Sequence, residues 1–303
     1  MQRLLARLQL EAECLRPLSA EERSTLAGLE TIVMPIGPYR NLTTLLAAAF
    51  ALDPQALVLN HAAERLWLKP GLDLIRTPRP EVRAAFLRAA VRLAQGGRRG
   101  GYGGSILEAH AFDDSLLRER YRARYGERIL KPDAKVLFWK DSMRILNRIR
   151  QKPGRLTGLL EGGGIKLLLP VRHPIHWAHS NLRTGHAGHL IAKGERSLPL
   201  VLEQILDIVR WACTRPELGD DRLMLVWEHE WSEPTLSALS SFCGIDDEPG
   251  WRRDVLAALP IRERRAEPED EALYRDLVRQ KFADLPAIEA KLLAFVPQAT
   301  PAG

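Results

Sequence analysis

Five short, almost unbroken apolar runs punctuate the chain, and they constrain its fold more than any other feature. They are ETIVMPIG at residues 30–37, ALVL at 56–59, KVLFW at 135–139, IKLLLPV at 165–171 and RLMLVW at 222–227. Runs this short and this continuous suit strands covered on both faces rather than strands with one face in water. Helical segments separate them. TTLLAAAFAL (43–52) is stopped by Asp53-Pro54, and further helices are expected over 81–95, near 113–125, over 198–214 and over 234–242. Another follows Asp141 and Ser142, either of which is a candidate cap, another starts at Pro174, and the stretch from Pro268 is charged and helical. Ser19 with Glu22 forms a capping-box pattern near the start. Strands alternating with helices predict an α/β fold, a central parallel sheet flanked by helices. No repeat or linker divides the chain, so one domain is expected over 1–303. It would carry a helical extension at 1–29, a helical insert with a glycine-rich loop (GGRRGGYGG, 96–104) within 69–128, and a helical segment at 262–303.

Charge and cysteine usage narrow the function. The 303 residues carry 44 Lys+Arg against 38 Asp+Glu, a net charge of +6 that suits an anionic partner. The excess lies in stretches such as 118–128 and 262–265, where acids and apolar residues interleave as on solvated helix faces. No nucleic-acid motif accompanies it, so no nucleic-acid partner is expected. The longest apolar stretch, 45–52, falls far short of the ~18 residues of a membrane span. The N-terminus lacks the pattern of a secretory signal, and a cytoplasmic location is expected. Cys14, Cys213 and Cys243 have neither a disulfide-framework nor a zinc spacing. His173, His176, His179, His186 and His189 cluster in sequence without a completing carboxylate or thiol, so packing or substrate contact is expected there and no metal.

The first strand runs into GPYRNLTT, residues 37–44, before the Thr43 helix. In open α/β sheets, ligands bind beyond the carboxyl ends of the strands. The free N–H groups and dipole at the helix start favour a phosphate there. Thr43 and Thr44 add hydroxyls, and Arg40 adds a permanent planar cation. Against the nucleoside-triphosphate loop G-x-x-x-x-G-K-[ST], Leu42 replaces the second glycine and Thr43 the lysine, which argues against ordinary kinase chemistry.

Residues 37–45 resemble the 5′-phosphosulfate loop of sulfotransferases, G-x-P-[RK]-S-G-T-T, with Asn41 and Leu42 as departures from its Ser and Gly. VRHPIHWAHSN (171–181) resembles that family's 3′-phosphate site, with Arg172, Pro174 and Ser180 at the matching spacing. The segment 223–245 is similar to a late family segment through Glu228, Pro234, Phe242 and Gly244, and FWKDS (138–142) to the strand end that carries a lysine. The resemblance spans about 200 residues. It implies a P-loop-like sulfotransferase fold and 3′-phosphoadenosine 5′-phosphosulfate (PAPS) as donor, with a small-molecule or carbohydrate acceptor. Arg40, Asn41, Leu42, Thr43, Thr44, Arg172 and Ser180 would then bind the donor. Arg40 and Lys140 would meet the charge on the leaving group. His61, aligned by way of Pro54, would be the base, with Glu64 as second choice; an imidazole of ordinary pKa near 6.5 suits that task. The family's late glycine-rich basic loop has no clear match, and Arg262, Arg264 and Arg265 are its candidate substitutes. Tyr102, Trp67, Trp139, Trp177 and Trp227 are candidates to line a pocket or to fill the core. Two alternatives stay open: a non-catalytic protein binding the same nucleotide, because of Asn41 and Leu42, and a P-loop small-molecule kinase.

Overall fold

The computed structural model describes residues 16–96, 103–152, 154–261 and 266–296. Cys14, Tyr102, Arg262, Arg264, Arg265 and most of the glycine-rich segment lie outside the described residues. Helix α1 (Ala20–Gly28) opens with the expected capping box: Glu22 N–H donates to Ser19 Oγ, and Ser19 N–H to the Glu22 carboxylate. Then come β1 (Thr31–Pro35), α2 (Thr43–Leu52), β2 (Ala56–Asn60), the short α3 (Ala63–Leu66), α4 (Pro80–Leu93) and α5 (Ser115–Tyr125). They are followed by β3 (Val136–Lys140), α6 (Ser142–Arg150), α7 (Arg155–Glu161), β4 (Ile165–Val171), α8 (Pro174–Arg183) and α9 (Leu198–Cys213). The described chain closes with β5 (Leu223–Trp227), α10 (Glu233–Cys243), α11 (Pro249–Ala258), α12 (Pro268–Phe282) and α13 (Pro286–Leu293).

The five strands form one parallel sheet in the order β2-β3-β1-β4-β5. Alternation sends successive side chains to opposite faces. Ile32, Met34, Leu57, Leu59, Leu137, Trp139, Leu167 and Leu169 pack beneath α4, α6, α8, α9 and α12. Val33, Val58, Phe138, Leu168 and Val226 pack against α2, α5, α10 and α11 on the other side. Both faces are dry, which is why the strands read as continuous apolar runs. Phe50 of α2 stacks on Phe138 at 4.6 Å, and the Trp251 indole N–H of α11 donates to Ala49 O of α2 at 2.8 Å, so α2 is held from both sides.

The structure corrects several expectations. Neither Asp141 nor Ser142 caps α6: Asp141 stands at the cap position with φ −152° and ψ 46°, which turns its carboxylate away from the helix. α7, α11 and the one-turn α3 fall in stretches without a long apolar periodicity and were not expected, and the C-terminal stretch is broken before Pro286 into two helices. None of Trp67, Trp139, Trp177 and Trp227 lines the main cavity. Trp139 and Trp177 are fully buried, Trp67 stacks edge-on against Trp139, and Trp227 packs near Phe295.

Candidate functional site

All five strands end on the same side of a parallel sheet, and that edge carries the site. The chain reverses direction around β1, which lies between β3 and β4, so crossovers leave to both sides and open a crevice there. A cavity of about 610 Å³ fills it, within the range of small-molecule sites. It is lined by the loop after β1 (Tyr39, Arg40, Asn41, Leu42, Thr43, Thr44), by Asn60 and His61 after β2, and by Lys140, Asp141, Ser142 and Arg144 after β3. Arg172 after β4, with Glu108, His110, His186 and His189, completes the wall.

The loop after β1 is wound tightly. Gly37 has φ 117°, and both Arg40 and Leu42 occupy the left-handed region, at φ 68° and 66°. Left-handed residues flanking Asn41 give the loop a backbone conformation of the kind that anion-binding concavities use. Leu42 thus adopts the conformation that glycine normally supplies, at a cost of about 1–2 kcal/mol. Asn41 is the loop's internal staple: its Nδ2 donates to Ile36 O at 3.1 Å, and its Oδ1 accepts from Thr43 Oγ1. The Thr43 hydroxyl is therefore turned to the loop, within 3.5 Å of Ser142 Oγ, at the start of α2.

Residues 140 positions apart meet behind this loop. Arg40 Nε donates to Ser180 Oγ at 3.0 Å, and Arg172 Nη1 approaches Arg40 O at 3.4 Å. Ser180 itself is buried on α8. Glu228, after β5, accepts the His173 N–H at 2.6 Å and lies 3.7 Å from Arg172 Nε, so it aims the arginine from behind. The Trp177 indole N–H and Asn181 Nδ2 both donate to Tyr39 O, at 2.7 and 2.9 Å, and tie α8 to the loop.

Across the cavity, His61 and Ala62 are consecutive left-handed residues at φ 62° and 69°. β3 pins this turn: His61 N–H donates to Lys140 O at 2.8 Å, and the Trp139 indole N–H donates to His61 O at 2.8 Å. Lys140 Nζ donates to Asn60 Oδ1 at 3.1 Å and lies 3.5 Å from His61 Nε2. Burial pushes the Lys140 amine down to about 8, against the partial support of Asp141. Glu64 does not line the cavity. It pairs with Arg144 at 2.8 Å and is 39% exposed. On the remaining wall Tyr39 sits edge-on or tilted against His186 and His189, with ring centroids at 5.0 and 5.1 Å. Burial, then His189 and Arg40, lower the His186 pKa.

Of the residues singled out in the sequence, Arg40, Asn41, Leu42, Thr43, Thr44, His61, Lys140 and Arg172 line one cavity, Ser180 stands directly behind it and Glu64 lies beside it. Sequence reasoning missed Asp141, Arg144 and Tyr39. Asp141 and Tyr39 adjoin Lys140 and Arg40 in sequence, and that adjacency was the one available signal. Among the described residues no set of three or more His, Cys, Asp or Glu is arranged to hold a metal, and no helix is long and apolar enough to cross a membrane.

No protein-family model and no curated protein matches the chain. Solved structures similar to it are sulfotransferases. One is the sulfotransferase domain of an olefin synthase from Synechococcus PCC 7002, at 15% identity and TM-score 0.35, covering 90% of this chain and 89% of that one. A second, from Alicyclobacillus acidocaldarius, has 13% identity and TM-score 0.41, covering 90% and 98%. A third, sulfotransferase STF9 from Mycobacterium avium, has 14% identity and TM-score 0.39, covering 88% and 79%.

Proposed function

We propose that the protein is a sulfotransferase that moves a sulfuryl group from PAPS to a hydroxyl or amine of a small-molecule or carbohydrate acceptor. The observation that carries this reading is the meeting of Arg40, Ser180 and Arg172. Arg40 of the loop after β1 and Arg172 after β4 stand at one cavity, which suits a nucleotide phosphorylated at both 5′ and 3′ positions. The residues present suit that donor. The start of α2 and Arg40 take the 5′ end, Arg172 takes the 3′-phosphate, and Ser180 holds Arg40 between them.

The donor supplies an electron-poor sulfur bonded to a phosphate oxygen, and the protein supplies position and charge. The acceptor oxygen bonds to sulfur as the sulfur–oxygen bond to the phosphate breaks. The acceptor proton passes to His61 Nε2, and the electron pair leaves with the phosphate oxygen, which Arg40 and Lys140 meet. Glu64 serves this arrangement by holding Arg144 rather than by taking the proton, because its carboxylate is committed to that ion pair.

The test is calorimetric titration with 3′-phosphoadenosine 5′-phosphate (PAP), 5′-AMP and ATP. Wild type is expected to prefer PAP clearly. Arg172→Ala is expected to lose roughly 10- to 100-fold in PAP affinity, the equivalent of one charge-assisted contact, with 5′-AMP unaffected. Equal or absent binding of all three ligands overturns the donor assignment.

A further inference from the structure

We propose that Asp141 is the positioning residue for His61, a buried carboxylate that holds the imidazole as its Nδ1–H tautomer and so puts the basic Nε2 lone pair, which Lys140 approaches at 3.5 Å, on the cavity side. The inference rests on the reading of His61 as base and deepens it. The Asp141 side chain has no exposed surface, and its Oδ1 lies 3.6 Å from His61 Nδ1. It does not cap its own helix. Its Oδ2 accepts the Ala63 N–H at 3.1 Å, directly after the left-handed pair His61–Ala62, and its Oδ1 also takes Arg144 Nη1 at 3.1 Å.

A carboxylate only accepts hydrogen bonds, so the nitrogen that faces it must carry the hydrogen. His61 Nδ1 is buried and, among the described residues, makes no hydrogen bond; the Asp141 carboxylate oxygen faces it at 3.6 Å, one small closure away from taking that N–H. The opposite edge of the ring meets Lys140, whose ammonium only donates, so Nε2 is the lone-pair side. One edge thus faces an acceptor and the other a donor, and only the Nδ1–H tautomer satisfies both. The charged groups around the ring come from three elements and a turn: Lys140 at the end of β3, Asp141 in the turn after it, Glu64 of α3, and Arg144 of α6, which bridges Glu64 and Asp141. The backbone holds the ring in register, because the strained turn carrying His61 is bonded to Lys140 O, to the Trp139 indole and, through Ala63, to Asp141 itself.

The test reads the tautomer directly. Two-bond proton–nitrogen correlation spectra of the full chain, labelled at histidine nitrogen, distinguish the two ring nitrogens, and His61→Ala identifies the signal. The wild type is expected to hold more than about nine-tenths of His61 as Nδ1–H. Asp141→Asn keeps an oxygen for Ala63 N–H but presents N–H groups to the ring, so the Nδ1–H form should fall below about half, as when an orienting carboxylate becomes an amide in other enzymes. A wild-type Nε2–H tautomer, or an unchanged tautomer in Asp141→Asn, overturns the pairing. The wild-type spectrum decides the matter even if the variant does not fold. PAP titration of the same samples separates the two readings: failure to bind PAP overturns the donor assignment, whereas the tautomer overturns only the pairing.

Discussion

Replacing Lys140 by methionine should make the protein more stable at neutral pH while abolishing transfer. Lys140 is only 7% exposed, and burial lowers its pKa from 10.5 to about 8. Below pH 8 both the folded and unfolded chains carry the proton, and the penalty of burying the charge is complete. Between pH 8 and 10.5 the unfolded chain keeps a proton that the folded chain gives up, so stability rises with pH across that window. At about 1.4 kcal/mol per pH unit, this separation corresponds to about 3 kcal/mol at pH 7. Methionine fills a similar volume without the charge, but it leaves Asn60 Oδ1 without the bond that Lys140 makes at 3.1 Å. Losing that bond costs about 1 kcal/mol, so a net gain of about 2 kcal/mol is expected at pH 7. Urea unfolding of both proteins at pH 7 and pH 9.5 measures it. The difference should shrink by about 2 kcal/mol at the higher pH, because most of the wild-type penalty has then been relieved. A variant that is less stable at pH 7, or a difference that does not move with pH, would refute the assignment of a desolvated amine.

Gly37→Ala should weaken PAP binding at least about tenfold, measured by calorimetry: at φ 117° an added Cβ would lie 2.7 Å from Asn41 Nδ2 and 3.0 Å from Leu169 Cδ1, displacing the staple that shapes the loop. Glu64→Gln should hold the transfer rate within about threefold, since its ion pair is partly exposed and worth under about 1 kcal/mol, while His61→Ala should cost at least about 100-fold in the same assay. The reverse ranking would make Glu64 the base. Phe138→Ala should destabilise by about 3–5 kcal/mol in thermal or urea unfolding, because the ring is fully buried at the centre of the sheet and stacked on Phe50.

The strands, the large helices and the tight turn after β1 were legible in the sequence because each depends on local pattern. A parallel strand buried on both faces must be continuously apolar, and an anion loop needs its glycine, arginine and helix start within a few residues. The pairing of Arg40 with Ser180 was not legible: the resemblance grouped Ser180 with Arg172 and left Arg40 in a separate loop, and no local rule joins residues 140 positions apart. Asp141 shows the limit of local reasoning. Its sequence context is that of a helix cap, yet its carboxylate takes the Ala63 N–H and faces His61, both brought by the segment after β2, and pairs with Arg144 of its own helix. The tryptophans, open in the sequence between pocket wall and core, are decided by packing: Trp139 and Trp177 are buried, with their indole N–H groups bonded to His61 O and Tyr39 O. Sequence alone determined which segments become strands and which become the larger helices, and which turn combines a glycine, an arginine and a helix start, because hydrophobic patterning and backbone chemistry act over a few residues. Only the tertiary structure decided which side chains share the cavity and which carboxylate faces which cation, because the strand order β2-β3-β1-β4-β5 brings five distant loops to one edge of the sheet.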